Sequence, residues 1–176
     1  MELSNRLRVR GKQGGFSLLE VIVAAAVLTI GLLAVATMFT TSLAMIKYSE
    51  EDSIARQEAQ QMIEGIFAAR NTGAHPFSDF QNVNAAVPGI FLDGYRPALQ
   101  AGADGVMNTV DDGPVMETGP DGKPLTNFQR QVVFQPVLLP DLTVDPNTRQ
   151  VQVSVQYRVG GLVRTYTQVT YISTYR

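Results

Sequence analysis

The most apolar part of the chain is residues 16–46, a run of 31 positions in which Glu20 is the only charged side chain. At about 1.5 Å of rise per residue, a helix of this length exceeds the roughly 30 Å of a bilayer core. A cleaved secretory signal has a shorter apolar region and a small-residue cleavage site after it. The pattern therefore predicts a single transmembrane helix over residues 16–46.

The next segment, residues 47–72, mixes charged and apolar residues and contains no proline. One mostly apolar stripe recurs at three- and four-residue spacing and consists of Ala55, Ala59, Met62, Ile63, Ile66, Phe67 and Arg70. This spacing is typical of a helix that packs one face against another element. Gly73 and Pro76 provide a stop signal. We therefore predict one helix from about Phe16 to Arg70, membrane-like in its first half and amphipathic in its second.

Residues 73–127 show little periodicity and hold most of the prolines. We expect long loops with short strands or turns in this region. Residues 128–176 are strand-like instead. They include FQRQVVFQPVLL, broken by Pro136, and QVQVSVQYRV, in which every second residue is apolar. The fold class predicted for the whole chain is α+β, a long N-terminal helix packed on a C-terminal antiparallel sheet.

Gly160-Gly161 indicates a hairpin turn between the last two strands. A two-residue loop pairs Val155 with Tyr166 and Val153 with Gln168, so that one face is mixed. A three-residue loop instead places Tyr157 opposite Val163. The hairpin itself is predicted, and both registers stay open.

Charge and composition narrow the function. Residues 1–15 carry a net charge of +3 and residues 16–176 a net charge of −5, which gives no reason to expect a nucleic-acid partner. The positive-inside rule predicts a cytoplasmic N-terminus, a single membrane pass and an extracytoplasmic C-terminal domain. The chain has no cysteine and one histidine, His75, so a zinc site and a serine–histidine triad both lack parts. We expect no enzyme.

The stretch GGFSLLEVIVAAAVLTIGLL resembles the N-terminus of type IV prepilins and type II secretion pseudopilins. A short basic leader, residues 1–15, ends in Gly15. Phe16 follows as a hydrophobic residue, and Glu20 is the fifth residue after the glycine. The resemblance implies a pilin-like fold. It also implies that prepilin peptidase cuts between Gly15 and Phe16 on the cytoplasmic side and methylates the new amine of Phe16.

Two interpretations of Glu20 remain. It is either a carboxylate near the membrane surface, protonated or reaching for water, or, as the resemblance implies, the partner of the N-terminal amine of a neighbouring subunit in a filament. Opposite charges about 4 Å apart at an effective dielectric near 20 attract by roughly 4 kcal/mol. Such a pair makes a wrong axial register costly.

The resemblance also narrows the subfamily. ATMFTTS lacks the helix-breaking proline of many major pilins, and the absence of cysteine excludes their C-terminal disulfide. IGLLAVA and the helix end ARQEAQQMIEGIFAARN look most like PilV-type minor pilins. The expected function is a minor pilin of a type IV pilus or of its initiating tip complex. The alternatives are a minor pseudopilin of a type II secretion system, located in a periplasmic pseudopilus, and a membrane-anchored extracytoplasmic binding module. The expected partners are prepilin peptidase and other pilin subunits, which pack through the N-terminal helix.

A second candidate site is the loop GADGVMNTVDDG, residues 102–113. Its oxygen donors are Asp104, Asn108, Asp111 and Asp112, together with the Thr109 hydroxyl and backbone carbonyls, and oxygen is the ligand atom that Ca²⁺ prefers. The loop resembles aspartate-rich loops of some exported bacterial proteins, although its spacing is not that of an EF-hand. The alternative is a polar turn in which aspartate and glycine simply shape the backbone. The sequence predicts no required cofactor and leaves Ca²⁺ open.

Overall fold

The structure, a computed structural model, describes residues 15–174. The predicted leader therefore lies outside the described residues except for Gly15. The chain divides into two compact units, residues 1–43 and residues 44–176, and each is described by itself.

In the first unit, the described residues form the start of helix α1, which runs over Leu18–Thr72. The apolar side chains of this part are exposed, and the helix is long and apolar enough to cross a membrane. Its threonine hydroxyls donate to the helix's own carbonyls; Thr29, for example, reaches the carbonyl of Ala25 at 2.8 Å. Such bonds satisfy the hydroxyls internally, so they are compatible with an apolar surrounding.

The second unit consists of residues 44–72 of α1, an irregular region and one four-stranded sheet. The strands are β1 (Arg96–Pro97), β2 (Phe128–Leu138), β3 (Val144–Val159) and β4 (Leu162–Ser173). They are ordered β1-β2-β3-β4, and every pair is antiparallel. The predicted α+β class, with a helix packed on an antiparallel sheet, is confirmed.

The core lies between α1 and the inner face of the sheet. Most of the predicted helical stripe is buried, while Phe67 is only half-buried. On β3 the buried side chains are Val151, Val153, Val155 and Tyr157, as the alternation predicts. At the edge of this core, the hydroxyl of Tyr157 donates to Asp52 on α1 at 2.9 Å, and this bond ties the helix to the sheet.

The hairpin between β3 and β4 uses the two-residue turn. Val155 pairs with Tyr166 and Val153 with Gln168, so the three-residue alternative is wrong. Gly160 and Gly161 have φ values of +57° and +84°. Both values lie in the left-handed region, which glycine adopts without steric cost.

The strands depart from the sequence prediction in two places. Pro136 does not break its strand, because β2 continues to Leu138 with a register shift between Pro136 and Val137. This irregularity is where proline is tolerated in a sheet. Strand β3 begins at Val144, before the clean alternation starts.

The irregular region 73–127 contains a 3-10 turn at Phe77–Asp79, strand β1 and isolated bridges, as expected for long loops with short strands. Asn82 attaches it to the edge of β2. The Asn82 amide donates to the carbonyl of Val132 at 2.8 Å, and its oxygen accepts the N–H of Phe134 at 3.0 Å. One amide side chain thereby imitates a paired strand residue.

Candidate functional site

The predicted processing and docking segment, residues 15–20, leads into the first turn of α1. The N–H of Glu20 donates to the hydroxyl of Ser17 at 3.2 Å and to its carbonyl at 3.0 Å. Ser17 therefore caps the helix, and Glu20 lies three residues later, the spacing of a capping box. The S-x-x-E pattern was visible in the sequence and was missed. It places the carboxylate at the positive end of the helix dipole.

No side chain of this segment is covered within the described residues. Phe16 is 81% exposed and Leu18 80% exposed, and the apolar residues that follow are exposed in the same way. An exposed apolar surface of this length is unusual for a soluble monomer and is typical of a segment that meets lipid or other protein. The segment is thus capped and regular, and its side chains are available to a partner.

Comparison with known proteins bears on the same segment. Residues 10–36 match the family model described as the prokaryotic N-terminal methylation motif. The match includes Gly15, Phe16 and Glu20, and it indicates a type IV pilin-like or pseudopilin protein. No curated protein and no solved structure matches the chain. The pilin-like class thus rests on the N-terminal motif together with the helix-on-sheet fold.

The loop at residues 102–113 brings its polar residues together through bonds of its own. Asp104 accepts the N–H of Val106 at 2.8 Å, and Asp112 accepts that of Asn108 at 2.8 Å. Asp111 accepts the Thr109 hydroxyl at 2.6 Å. These are the bonds of an aspartate-rich turn.

The titration of this loop follows from those contacts. The Thr109 hydroxyl holds the pKa of Asp111 below its usual value, whereas burial raises the pKa of Asp112. Among residues 15–174, no group of three or more histidine, cysteine or acidic side chains is placed to hold a metal ion. The bonds within the loop favour the polar-turn interpretation, and Ca²⁺ binding stays a prediction. His75 lies beside the loop, with Nε2 3.8 Å from Oδ2 of Asp104.

A cluster of buried charges was not anticipated from the sequence. Arg130 on β2 is fully buried, and its Nη1 lies 3.1 Å from Oε2 of Glu58 on α1 and 3.0 Å from Oε2 of Glu117. Nη1 also contacts the Met107 sulfur at 3.1 Å, and Nη2 donates to the carbonyl of Leu99. One side chain therefore holds the helix, the sheet and the irregular region together.

The two carboxyl groups of this cluster compete for one cation. Burial, and next the hydrogen bond with Glu117, raise the pKa of Glu58 to about 8. Arg130 lowers the pKa of Glu58, but by less than burial raises it. Near neutral pH Glu58 therefore keeps its proton, since ionising it would add a negative charge that burial disfavours.

A sequence signal for this cluster did exist. Arg130 stands between Phe128 and Val132 in the alternation of β2, at an inward position. Glu58 stands at helical spacing from Ala55 and Met62, inside the apolar stripe. Two opposite charges that each interrupt an apolar pattern are candidates for a buried pair.

Proposed function

We propose that this chain is a minor pilin, a structural subunit that is made as a precursor, cleaved between Gly15 and Phe16 by prepilin peptidase and methylated at Phe16. It then assembles into a type IV pilus or its initiating tip complex. Before assembly it is held in the inner membrane by α1, with its N-terminus cytoplasmic and the second unit extracytoplasmic. The peptidase and other pilin subunits are its partners.

One observation carries this proposal. The methylation motif covers the start of a capped helix whose apolar side chains are exposed along residues 16–46, with Glu20 as the only charge. A simple anchor needs neither the glycine nor the acid. A subunit that leaves the membrane for a helical bundle needs an exposed apolar helix, and small residues such as Ala25 and Gly31 allow close helix approach.

The test is a Gly15→Leu variant, because a bulky side chain beside the scissile bond blocks entry into the protease cleft. Mass spectrometry of the membrane fraction should find the wild-type chain beginning at methylated Phe16 and the variant retaining residues 1–15. Gly31→Leu is the matched control. A Cβ at Gly31 meets nothing within 4 Å in this chain, so that variant should be processed normally. A wild-type chain that keeps its leader when the peptidase is present would refute the proposal.

The second candidate function is a minor pseudopilin of a type II secretion system, which the same motif supports equally. Deleting the gene separates the two functions: loss of surface filaments with normal secretion supports the pilin, and loss of secretion supports the pseudopilin. A membrane-anchored binding module predicts something else again. Its activity should survive removal of residues 1–45, whereas a filament subunit loses its function.

A further inference from the structure

The hairpin between β2 and β3 ends in an exposed apolar tip, residues 138–145. Strand β4 pairs with β3 only as far as Thr148, so the end of this hairpin is a two-stranded ribbon. Four apolar side chains of the hairpin tip are exposed, namely Leu138, Leu139, Leu142 and Val144. Exposed apolar residues that are scattered singly are normal on a protein surface, whereas a cluster of them indicates a contact surface.

Leu142 is held at this tip in a conformation that leucine rarely adopts. Its φ of +66° lies in the left-handed region, which a bulky side chain enters only at a steric cost and glycine enters freely. The turn fixes this conformation, because the N–H of Leu142 donates to the carbonyl of Leu139 at 2.9 Å. The Leu142 side chain is 79% exposed, so packing within the described chain does not offset the cost. A strained and exposed leucine favours a role in contact with a partner.

Two aspartates make the hairpin tip acidic as well as apolar. Asp141 accepts the Thr143 hydroxyl at 2.6 Å, and Asp145 accepts the N–H of Asn147 at 2.8 Å. The hydrogen bond from Thr143 lowers the pKa of Asp141, and that from Thr148 lowers the pKa of Asp145. Both carboxylates are therefore ionised at neutral pH. Lipid is a poor partner for the tip, because insertion would carry both charges towards hydrocarbon.

The other end of β3 has the complementary composition. In the β3–β4 turn patch, residues 158–164, Leu162 is 58% and Val163 52% exposed, and both Arg158 and Arg164 are exposed. Arg158 pairs across the strands with Val163, and these two residues line a cleft of about 250 Å³. Arg158 is the charged side chain among the described residues that line it. A cavity of about 150 Å³ accommodates benzene, which is larger than a leucine side chain, so the cleft has room for one leucine.

Position and charge together select the occupant of the hairpin tip. Asp145 and Arg158 lie near the two ends of β3, roughly 40 Å apart at the rise of a strand, so the tip cannot reach the turn patch of its own chain. The tip presents leucines beside anions, and the turn patch presents apolar side chains and a cleft beside cations. Two different complementary surfaces at opposite ends of one strand form a head-to-tail contact, which repeats from copy to copy without closing into a pair.

We propose that the hairpin tip of one copy of this chain docks on the turn patch of a second copy, with Leu142 in the cleft and the two aspartates of the tip beside Arg158. The proposal deepens the proposed pilin function and rests on it for its setting, because it names a contact through which subunits meet. The contact itself involves only residues 138–164 of the second unit. A chain that keeps its leader can therefore still show the contact, and a chain that is processed normally can lack it.

The test uses the absence of cysteine from the chain. Leu142→Cys combined with Val163→Cys is made in the full chain, in detergent with micelles in excess over chains. The chain is treated with a short bismaleimide that cannot bridge the two sites within one copy. We expect a ladder of dimers and higher species on a denaturing gel. Each single variant alone should stay monomeric, and a mixture of the two single variants should stop at dimers.

Two further variants examine the charge and the leucine. Arg158→Glu in the double-cysteine chain should lower the cross-linked fraction about tenfold, because the aspartates of the tip then face a like charge, and adding Asp141→Lys should restore part of it. Leu142→Gly in the cysteine-free chain should weaken self-association in sedimentation about tenfold, as expected for the loss of one buried leucine side chain. It should not lower the melting temperature, because glycine adopts the left-handed conformation without steric cost.

The matched control is Val110→Cys with Val163→Cys, since Val110 is an apolar side chain of the irregular region that is 75% exposed. It should give no ladder. The proposal is overturned if the Leu142→Cys pair cross-links no more than this control, or if Leu142→Cys alone cross-links as well as the pair, because one tip would then meet another. It is also overturned if Leu142→Gly lowers the melting temperature and leaves self-association unchanged.

Lipid as the occupant has its own readout. The Leu142→Cys thiol is labelled with a water-soluble maleimide in vesicles that each hold one chain, and we expect it to react as fast as the Val110→Cys thiol. Protection of the Leu142→Cys thiol in these vesicles would identify lipid as the occupant of the tip and would overturn the proposal.

Discussion

The Nη1 nitrogen of Arg130 lies 3.1 Å from Oε2 of Glu58, and the two residues are 72 positions apart in the chain. Both side chains are buried. The pair joins β2 to α1 at a point where water cannot replace either partner. Its titration and its removal both have measurable consequences.

The stability of the second unit should fall as pH rises from about 5 to 8. The pKa of Glu58 is about 8 in the folded chain against 4.5 for a fully solvated glutamate, so in this window the folded state holds a proton that the unfolded state has lost. The stabilisation by protonated Glu58 is complete below the pKa that Glu58 has in the unfolded chain. It is lost as the pH rises through the pKa of the folded chain, and the free energy of unfolding falls by on the order of a few kcal/mol.

Thermal unfolding of the full chain in detergent at pH 5, 6.5 and 8 measures this slope. Glu58→Gln should flatten it, because the amide has no proton to lose. Glu64→Gln, on the exposed side of α1, is the control and should keep the wild-type slope. A wild-type midpoint that rises towards pH 8 would contradict the raised pKa of Glu58.

Replacing Arg130 should be among the most damaging single changes in the sheet. Arg130→Met leaves Glu58 and Glu117 buried without their cation, and breaking a buried pair typically costs about 3–5 kcal/mol. Adding Glu117→Gln should recover part of the loss, since the excess negative charge is then removed. Arg158→Met, at an exposed position of β3, should change stability by about 0.5 kcal/mol or less. Chemical denaturation that gives equal losses for the two arginines would rule out the central role of Arg130.

Glu20→Ala should be processed normally and incorporated poorly. The change leaves Gly15 and Phe16 intact, so the proposed cleavage and methylation should proceed. The variant lacks, however, the carboxylate that is predicted to pair with the N-terminal amine of a neighbouring subunit. Axial registers of the subunits that are unfavourable in the wild type are then no longer distinguished from the correct one. Quantifying the chain in sheared filaments tests this, with Ser17→Ala as the comparison, because it removes the helix cap at about 1 kcal/mol and keeps the carboxylate. Wild-type recovery of the Glu20 variant would remove the pairing interpretation.

The predicted calcium site at residues 102–113 is tested by the melting temperature with and without added Ca²⁺. If Asp111 and Asp112 bind the ion, the wild type gains stability by mass action. Asp111→Ala combined with Asp112→Ala should then lose that gain. No shift for the wild type would leave the loop as a turn held by its own hydrogen bonds.

Periodicity predicted the elements of this fold well. The three- and four-residue spacing from Ala55 to Ile66 identified the buried side of α1, and alternation along β3 identified its inward valines, because both patterns report burial directly. The beginning of β3 was missed because Asp145, Pro146 and Asn147 are typical turn residues. There a register shift accommodates them within the sheet.

The candidate sites also differ in whether their sequence signal is local. Gly15, Phe16 and Glu20 could be predicted because their signal is local in the sequence, and the methylation-motif match covers the same residues. The contact of Arg130 with Glu58 depends on the packing of α1 against β2, which no local window contains. Each of the two residues interrupts an apolar pattern, but the sequence alone does not show that the two side chains form an ion pair with each other.

The glycine pair at the β3–β4 turn has a consequence for evolution of the sheet. Side chains alternate between the two faces, so inserting one residue into β4 just after Gly161 would turn Tyr166 and Gln168 outward and bring Thr167 and Val169 against the helix. A Cβ at Gly160 would also meet the Tyr48 hydroxyl at 3.0 Å. Substitutions on the face of the sheet that points away from α1 can therefore accumulate one at a time. A change in the length of this turn instead exchanges the side chains on both faces of β4 at once.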